Sequence, residues 1–347
     1  MNSQKVICVV GPTASGKTAL AVELALALDG EVIGADSMQI YRGLDVGTAK
    51  PTPAEMRGVP HHMIDVADIG EEYSAARYVQ RAGACVDEVL RRGRVPIVAG
   101  GTGFYISSLI RGFTFENEEK CDIIEQGKGR EERFAAEKRL RERLEALHDR
   151  FGGPRLHRLL TARDPGAAAK IHPSDRKRVV RALEVSFAGG RKSDVDALSR
   201  LRPPRYDALF LGLTCADRAE LYRRIDLRAE QMVEHGILEE ARMLRTRGGT
   251  AAQAIGYKEF YPALDDPALL GECLERMKQA SRRYAKRQLT WFRRQEKVVW
   301  FERDRTDFAE TVRSSTEIAR AFLYNTETNA GPDSEGSRSL QGRKQAD

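Results

Sequence analysis

The chain is poor in the features that mark a metal site, a secreted scaffold or a membrane protein. Its five cysteines, Cys8, Cys85, Cys121, Cys215 and Cys273, are scattered and include no C-x-x-C pair. That excludes a disulfide framework or a zinc ribbon and fits a reducing cytosol. Histidine is also scarce: His61 and His62 are adjacent, so on a strand they face opposite ways, and His148, His157, His172 and His235 add no ligand spacing. The pair is therefore read as structural. No stretch reaches the roughly 18 apolar residues of a membrane span. No basic n-region with a separate apolar run precedes the first strand. A soluble, cytoplasmic protein is expected, with no membrane partner and acting as a monomer. Asn325 to Asp347 holds no aromatic residue and is expected to be a disordered tail.

What is present is enough for a large core. The 347 residues are 41% hydrophobic and carry a formal net charge of +6. This predicts a main domain with a second one appended or inserted, and permits a polyanionic partner without requiring one.

The most informative stretch is Gly11-Pro12-Thr13-Ala14-Ser15-Gly16-Lys17-Thr18. It has the two spaced glycines, lysine and hydroxyl residue of a phosphate-binding P-loop. Val6 to Val10 before it reads as a buried parallel strand, and Ala19 to Leu28 after it as a helix. Gly11 and Gly16 let backbone N–H groups turn onto phosphate oxygens, Lys17 adds a point charge, and Thr18 is the candidate Mg²⁺ ligand. The motif leaves open whether the diphosphate belongs to ATP, GTP or another molecule. Glu31 to Ser37 reads as a second strand that delivers Asp36 and Ser37 to the same crevice, because strand C-termini face the ligand in doubly wound sheets. Asp36 is either a cap or turn residue or a functional one, and its place favours the latter.

Tyr41 to Pro53 reads as a loop across the crevice mouth and Ser74 to Arg91 as a crossover helix. Val95 to Ala99 is a buried strand ending in Gly100-Gly101-Thr102. P-loop hydrolases end a neighbouring strand in a metal-holding Asp, so a switch or motor is disfavoured. From about Phe115 the α/β alternation stops, which predicts a helical insertion. Within it a helix starts at Ser174 or Asp175, turns Val180, Leu183 and Phe187 inward, and carries Lys177, Arg178 and Arg181 outward. Leu209 to Leu213 reads as a returning strand, Arg218 to Arg247 as one helix and Val298 to Phe301 as a closing strand. Arg276 to Arg294 carries eight Lys or Arg residues and no acid, with Leu274, Met277, Tyr284, Gln288, Trp291 and Phe292 on the packing side. Arg276, Arg283, Arg287 and Arg294 share one stripe, and such a one-signed face points to nucleic acid.

A diphosphate cradle, no hydrolase-type Asp and a basic helix must be explained together. A P-loop small-molecule or nucleoside kinase using ATP explains the first two, and a passive nucleic-acid binder explains only the third. A transferase moving a group from a diphosphate donor to a nucleic acid explains all three, with the diphosphate leaving group held by Lys17.

The P-loop run, Asp36-Ser37-Met38-Gln39-Ile40-Tyr41, Gly47-Thr48-Ala49-Lys50-Pro51, Gly100-Gly101-Thr102, Ile171-His172-Pro173, Arg181-Ala182-Leu183-Glu184 and Ala254-Ile255-Gly256-Tyr257 occur in this order. In these motifs, spanning Val6 to Trp300, the chain resembles the bacterial tRNA dimethylallyltransferases. The resemblance implies a P-loop NTPase-like doubly wound α/β fold with a parallel sheet and an inserted all-helical domain. The core would be residues 1–114 and 205–324, the tRNA-contacting insertion 115–204, and the tail 325–347. It also implies transfer of a dimethylallyl group from dimethylallyl diphosphate to the exocyclic N6 of the adenine 3′ of the anticodon, in tRNAs reading codons that begin with U, with Mg²⁺.

In that casting Gly11, Pro12, Thr13, Ala14, Ser15, Gly16, Lys17 and Thr18 hold the prenyl diphosphate. Asp36 accepts the proton or a hydrogen bond from N6, and Thr102 touches the tRNA nucleotide or the reacting amine. Asp36, Lys17 and Thr102 are thus the catalytic candidates. Segments matching tRNA contacts are Asp36, Ser37, Met38 and Gln39; Lys177, Arg178, Val179, Val180 and Arg181; Gln253, Ala254, Ile255, Gly256, Tyr257 and Lys258; and Arg141. The chain departs from the family pattern over Glu116 to Arg133 and at Gln253, where some members carry arginine. It also lacks the Cys/His pattern of the eukaryotic zinc finger.

Overall fold

Among the described residues six short strands, five of them rich in β-branched or apolar residues and one the pair His61–His62, build one parallel sheet in the order β3-β2-β4-β1-β5-β6. They are β1 (Lys5–Val10), β2 (Gly30–Gly34), β3 (His61–His62), β4 (Val95–Ala99), β5 (Asp207–Thr214) and β6 (Val298–Glu302). The computed structural model describes residues 4–113, 128–194, 197, 203–295 and 297–324. The tail from Asn325 and most of the Glu116 to Arg133 stretch lie outside them.

Both faces of the sheet are covered, as the unbroken apolar strands require. Val6, Cys8 and Val10 pack on one side with helices α3 (Ala75–Arg91) and α4 (Gly103–Arg111). Ile7 and Val9 pack on the other with α1 (Lys17–Leu28). Ser74 caps α3 by accepting from Arg77 N. A short helix, α2 (Pro53–Met56), closes the Tyr41 to Pro53 loop region with a capping box between Thr52 and Glu55.

Between α4 and β5 run α5 (Lys128–Phe151), α6 (Gly153–Arg163), α7 (Pro165–Ala168) and α8 (Arg176–Phe187). Their apolar residues, among them Leu144, Leu160, Val179, Val180 and Leu183, form a cluster separate from those of the sheet. Asp175, rather than Ser174, caps α8. Phe187, expected to face inward, is 43% exposed and lies under the guanidinium of Arg163 at 4.1 Å.

The predicted single helix from Arg218 to Arg247 is two: α9 (Arg218–Glu234) and α10 (Ile237–Arg247). The break falls at Gly236, whose φ of 97° ends one helix and starts the next. There follow α11 (Tyr261–Asp265), α12 (Leu270–Phe292) and, after β6, α13 (Phe308–Tyr324). Some basic residues of α12 are neutralised by acids, but among the described residues Arg276 is the only member of the stripe in an ion pair. Arg276 pairs with Glu272, Lys278 with Glu230 and Glu275, and Arg282 with Asp226. Trp291, assigned to the packing side, is 38% exposed and meets Phe104 edge-on.

The topology puts the P-loop at the sheet's switch point. β1 pairs with β4 and β5, and β2 pairs with β4. The C-terminal ends of β1, β4 and β2 therefore lie side by side, where a ligand crevice forms.

Candidate active site

The turn after β1 is built so that few other residues fit. A Cβ on Gly11 (φ 142°) would stand 2.3 Å from Leu213 O. Gly16, with φ 90°, is the N-cap of α1 and offers no side-chain cap. The free N–H groups of the first turn of α1 are left for an anion. Ser15 is fully buried and its hydroxyl donates to Pro12 O at 2.9 Å, so it braces the loop. Lys17 Nζ donates to the same carbonyl at 2.6 Å. Burial pushes the Lys17 ammonium down to about 7, the Arg228 cation adds to this, and Asp36 acts against it.

β2 stops at Gly34, sooner than the sequence pattern predicts, so Asp36 sits in the turn beyond it. Asp36 Oδ1 accepts from Met38 N at 2.9 Å. Ser37 N donates to Thr102 Oγ1 at 3.0 Å, and Thr102 N donates to Ala35 O. The turns after β2 and β4 are thereby tied together. A Cβ on Gly100 would lie 2.2 Å from Ala35 O. Gly100→Ala is expected to cost about 1–3 kcal/mol through the forced backbone shift, read as a lowered Tm by calorimetry. An unchanged Tm would mean that these turns are not locked.

A cavity of about 310 Å³ joins these elements. Lys17, Thr18, Thr13 and Ala14 line it from the P-loop, Asp36, Ser37, Met38 and Gln39 from the β2 turn, and Ala254, Ile255 and Tyr257 from the segment before α11. Thr102 is not among the lining residues, whereas Gly100 and Gly101 are. Gly256 N bonds to Glu259, and Lys258 is exposed. Only the backbone of Gln253 belongs to the described residues. Gln39 spends its amide N–H groups on Thr48 O and Ala49 O, both at 3.1 Å.

The insertion residues lie elsewhere. Arg141 Nε is 2.6 Å from Glu184, which also pairs with Arg181; Arg178 pairs with Asp175. Val179 and Val180 are buried, so any contact they make with a partner runs through backbone. His61, read as purely structural, lines the cavity; its Nε2 is buried with no hydrogen-bond partner among the described residues. His62 bonds to Glu31 at 2.6 Å, as a structural residue would.

Several cavity residues were not singled out as functional in the sequence. Arg228 of α9 lines the cavity and donates to Thr13 Oγ1 at 3.2 Å. Burial pulls its guanidinium below the usual value, which fits a site for an anion. Gln288 of α12 accepts from Thr13 N at 2.8 Å and donates to Gly101 O at 3.1 Å. Tyr284 is held beside Thr102 and Gln288, and burial raises its phenol. The available signals were a lone arginine on the apolar side of α9, between Ile225 and Met232, and the i, i+4, i+7, i+11 series Met277, Ser281, Tyr284 and Gln288.

The cavity thus has a cationic end made by Lys17, Arg228 and the start of α1, and a carboxylate, Asp36, on the same wall system. It can hold a diphosphate at one end and present a proton acceptor to a group entering beside it. Among the described residues no cluster of three or more His, Cys, Asp or Glu side chains has metal-ligating geometry, and no helix is long and apolar enough to cross a membrane.

The family model described as IPP transferase matches residues 39–295. The tRNA dimethylallyltransferase of Geobacillus kaustophilus is 43% identical over 321 residues, covering 92% of this chain and 96% of the relative. That of an Anaeromyxobacter species is 47% identical over 299 residues, covering 85% and 94%. The full-length tRNA isopentenylpyrophosphate transferase from Bacillus halodurans superposes with a TM-score of 0.64 at 41% identity, covering 92% of this chain and 97% of that one. A eukaryotic dimethylallyltransferase acting on tRNA superposes with a TM-score of 0.74 at 30% identity, covering 92% and 79%.

Proposed function

Since the chain belongs to the IPP transferase family, we propose that it transfers a dimethylallyl group from dimethylallyl diphosphate to N6 of the adenine 3′ of the anticodon. The substrates would be tRNAs that read codons beginning with U. The observation that carries this reading is that Lys17 and Asp36 line one cavity. A leaving diphosphate and an attacking amine need that proximity.

The donor diphosphate takes the cationic end, on the P-loop backbone N–H groups, Lys17 and Arg228. The N6 nitrogen attacks C1 of the allylic group, the C1–O bond breaks, and its electron pair leaves with the diphosphate. As the N–C bond forms, positive charge builds on nitrogen, and Asp36 accepts the N6 proton. Met38 N, which donates to Asp36 Oδ1, fixes the carboxylate and leaves its other oxygen for the amine. Allylic diphosphates ionise readily, so positioning and stabilisation of the leaving group supply most of the acceleration. Thr102 acts through Ser37, holding the β2 turn that carries Asp36.

Thr18, exposed in the first turn of α1, offers a hard oxygen donor beside the diphosphate end and fits Mg²⁺. This ion takes one or two protein oxygens together with phosphate oxygens and water. Bound there, Mg²⁺ would neutralise charge on the diphosphate.

The adenine must leave its stack to enter, a cost of a few kcal/mol offset by backbone contacts elsewhere on the loop. We assign those contacts to Ser37 to Gln39, to the segment Gln253 to Lys258, to Arg287 at the cavity wall, and to Arg141, Lys177, Arg178 and Arg181 of the helical unit 115–204. Arg141, Arg178 and Arg181 are already paired with acids and exchange those partners for phosphate. The protein works in the cytoplasm as a monomer.

Supplying carbon-labelled dimethylallyl diphosphate and γ-labelled ATP separately, each with unmodified tRNA, tests the reading. Label is expected in tRNA from the prenyl donor alone; phosphorylated product from ATP would support a kinase instead.

A further inference from the structure

Glu240 lies in the first turn of α10, on none of the segments given a role above. Its carboxylate leaves the helix and is used completely. Oε1 accepts from Asp45 N and Val46 N, both at 2.8 Å, and Oε2 accepts from Gly47 N at 3.0 Å. The Tyr257 hydroxyl also donates to Oε2, at 2.9 Å. Three successive backbone N–H groups converging on one carboxylate form the concave arrangement that binds anions tightly.

The turn held in this way belongs to the wall of the cavity. Gly47, Thr48 and Ala49 line it, as does Tyr257. Turn and ring touch so closely that a Cβ on Gly47 would stand 2.5 Å from Tyr257 Cζ. The same turn orients Gln39, whose amide donates to the carbonyls of Thr48 and Ala49. On its far side it has a second tether, because Lys50 Nζ holds Tyr41 O at 3.0 Å and Asp65 at 2.6 Å, and also pairs with Asp45.

We propose that Glu240 is a positioning residue for tRNA: by clasping the Asp45–Gly47 turn to Tyr257 it sets Gln39 and the Tyr257 edge of the mouth through which the adenine enters. The inference rests on the function proposed above. It assigns the clasp to the nucleic-acid side of the cavity, because its contacts converge on Gln39 and Tyr257, whereas none reaches Lys17, Thr18 or Arg228. Loss of the carboxylate leaves three backbone donors and a buried phenol short of an acceptor. The turn then loosens but stays in place, because the Lys50 tether remains.

The test is steady-state kinetics on Glu240→Gln, Tyr257→Phe and the double variant, with an anticodon stem-loop and dimethylallyl diphosphate varied in turn. For E240Q the KM for the stem-loop is expected to rise about tenfold, roughly the weight of one charge-assisted hydrogen bond, with the donor KM unchanged. Y257F is expected to produce a smaller rise that does not add to that of E240Q, since both act through one clasp. Equal rises in both KM values, additive effects, or wild-type kinetics in E240Q would each overturn the inference. If E240Q does not fold, Y257F alone carries the same split in KM, and its absence overturns the proposal. A wild-type protein that transfers no prenyl group would instead contradict the proposed function itself.

Discussion

Asp36→Ala is expected to lower prenyl transfer by roughly 10²–10⁴-fold, the range of a positioned general base, while tRNA affinity stays near that of the wild type. An amine conjugated to a purine is a weak nucleophile, so removal of its proton as the bond forms is where a carboxylate has most effect. Asp36 is held in place by Met38 N and by the Ser37–Thr102 bond beside it, as the proposed role requires. Its removal opens no hole in the apolar core, so a binding measurement by fluorescence anisotropy separates chemistry from folding. Turnover within tenfold of wild type would show that the proton leaves by another route. A loss of tRNA affinity matching the loss of turnover would make Asp36 a binding residue only.

Lys17→Met is expected to reduce kcat/KM for the donor by two to three orders of magnitude, comparable to removing one preorganised charge or donor at a developing anion. It also has a protonic signature. With its ammonium pushed down to about 7 by burial and by Arg228, Lys17 is largely neutral at pH 8, whereas a bound diphosphate restores the charge. Donor binding at pH 8 to 9 should therefore take up about one proton, measured by calorimetry in buffers of different ionisation enthalpy and absent in K17M. The sign for folding follows from the same depression. Between about 7 and the unfolded value near ~10.4 the unfolded chain binds the extra proton, so stability rises with pH across that window. K17M should flatten this rise. Binding without proton uptake would place Lys17 away from the diphosphate, and an unchanged slope would mean that burial does not depress Lys17 in the free protein.

How much of this was legible in the sequence varies by element. The P-loop, its strand and its helix follow from eight residues whose geometry admits few substitutes. β4 with Gly100-Gly101-Thr102 was equally readable, because an apolar run ending in glycines has one sensible place in a parallel sheet. Asp36 was placed by the rule that strand ends face the ligand, although the strand stops earlier than its apolar pattern predicts.

Tertiary context supplied the rest. A single glycine, Gly236, divides what the charge pattern reads as one helix. Lys278 and Arg282 of α12, off the basic stripe, are neutralised by Glu230 and Asp226 of α9, and no local pattern shows an acid 48 or 56 residues away. Arg228 left only a weak signal, its place on the apolar side of α9, since an arginine on a helix reads as solvent-facing until the elements packed against it are known. Glu240 likewise looks like an ordinary acid in a first helical turn, favourable to the dipole, and gains its role only when a loop 193 residues distant closes on it.

The central claim is that one cavity brings a leaving diphosphate to the exocyclic amine of a single adenine. It is tested most directly with two anticodon stem-loops and carbon-labelled dimethylallyl diphosphate: one carries adenine 3′ of the anticodon, and in the other that base is purine, which lacks the amine. Label is predicted in the first and none in the second. Equal labelling of both, or of neither, would contradict it.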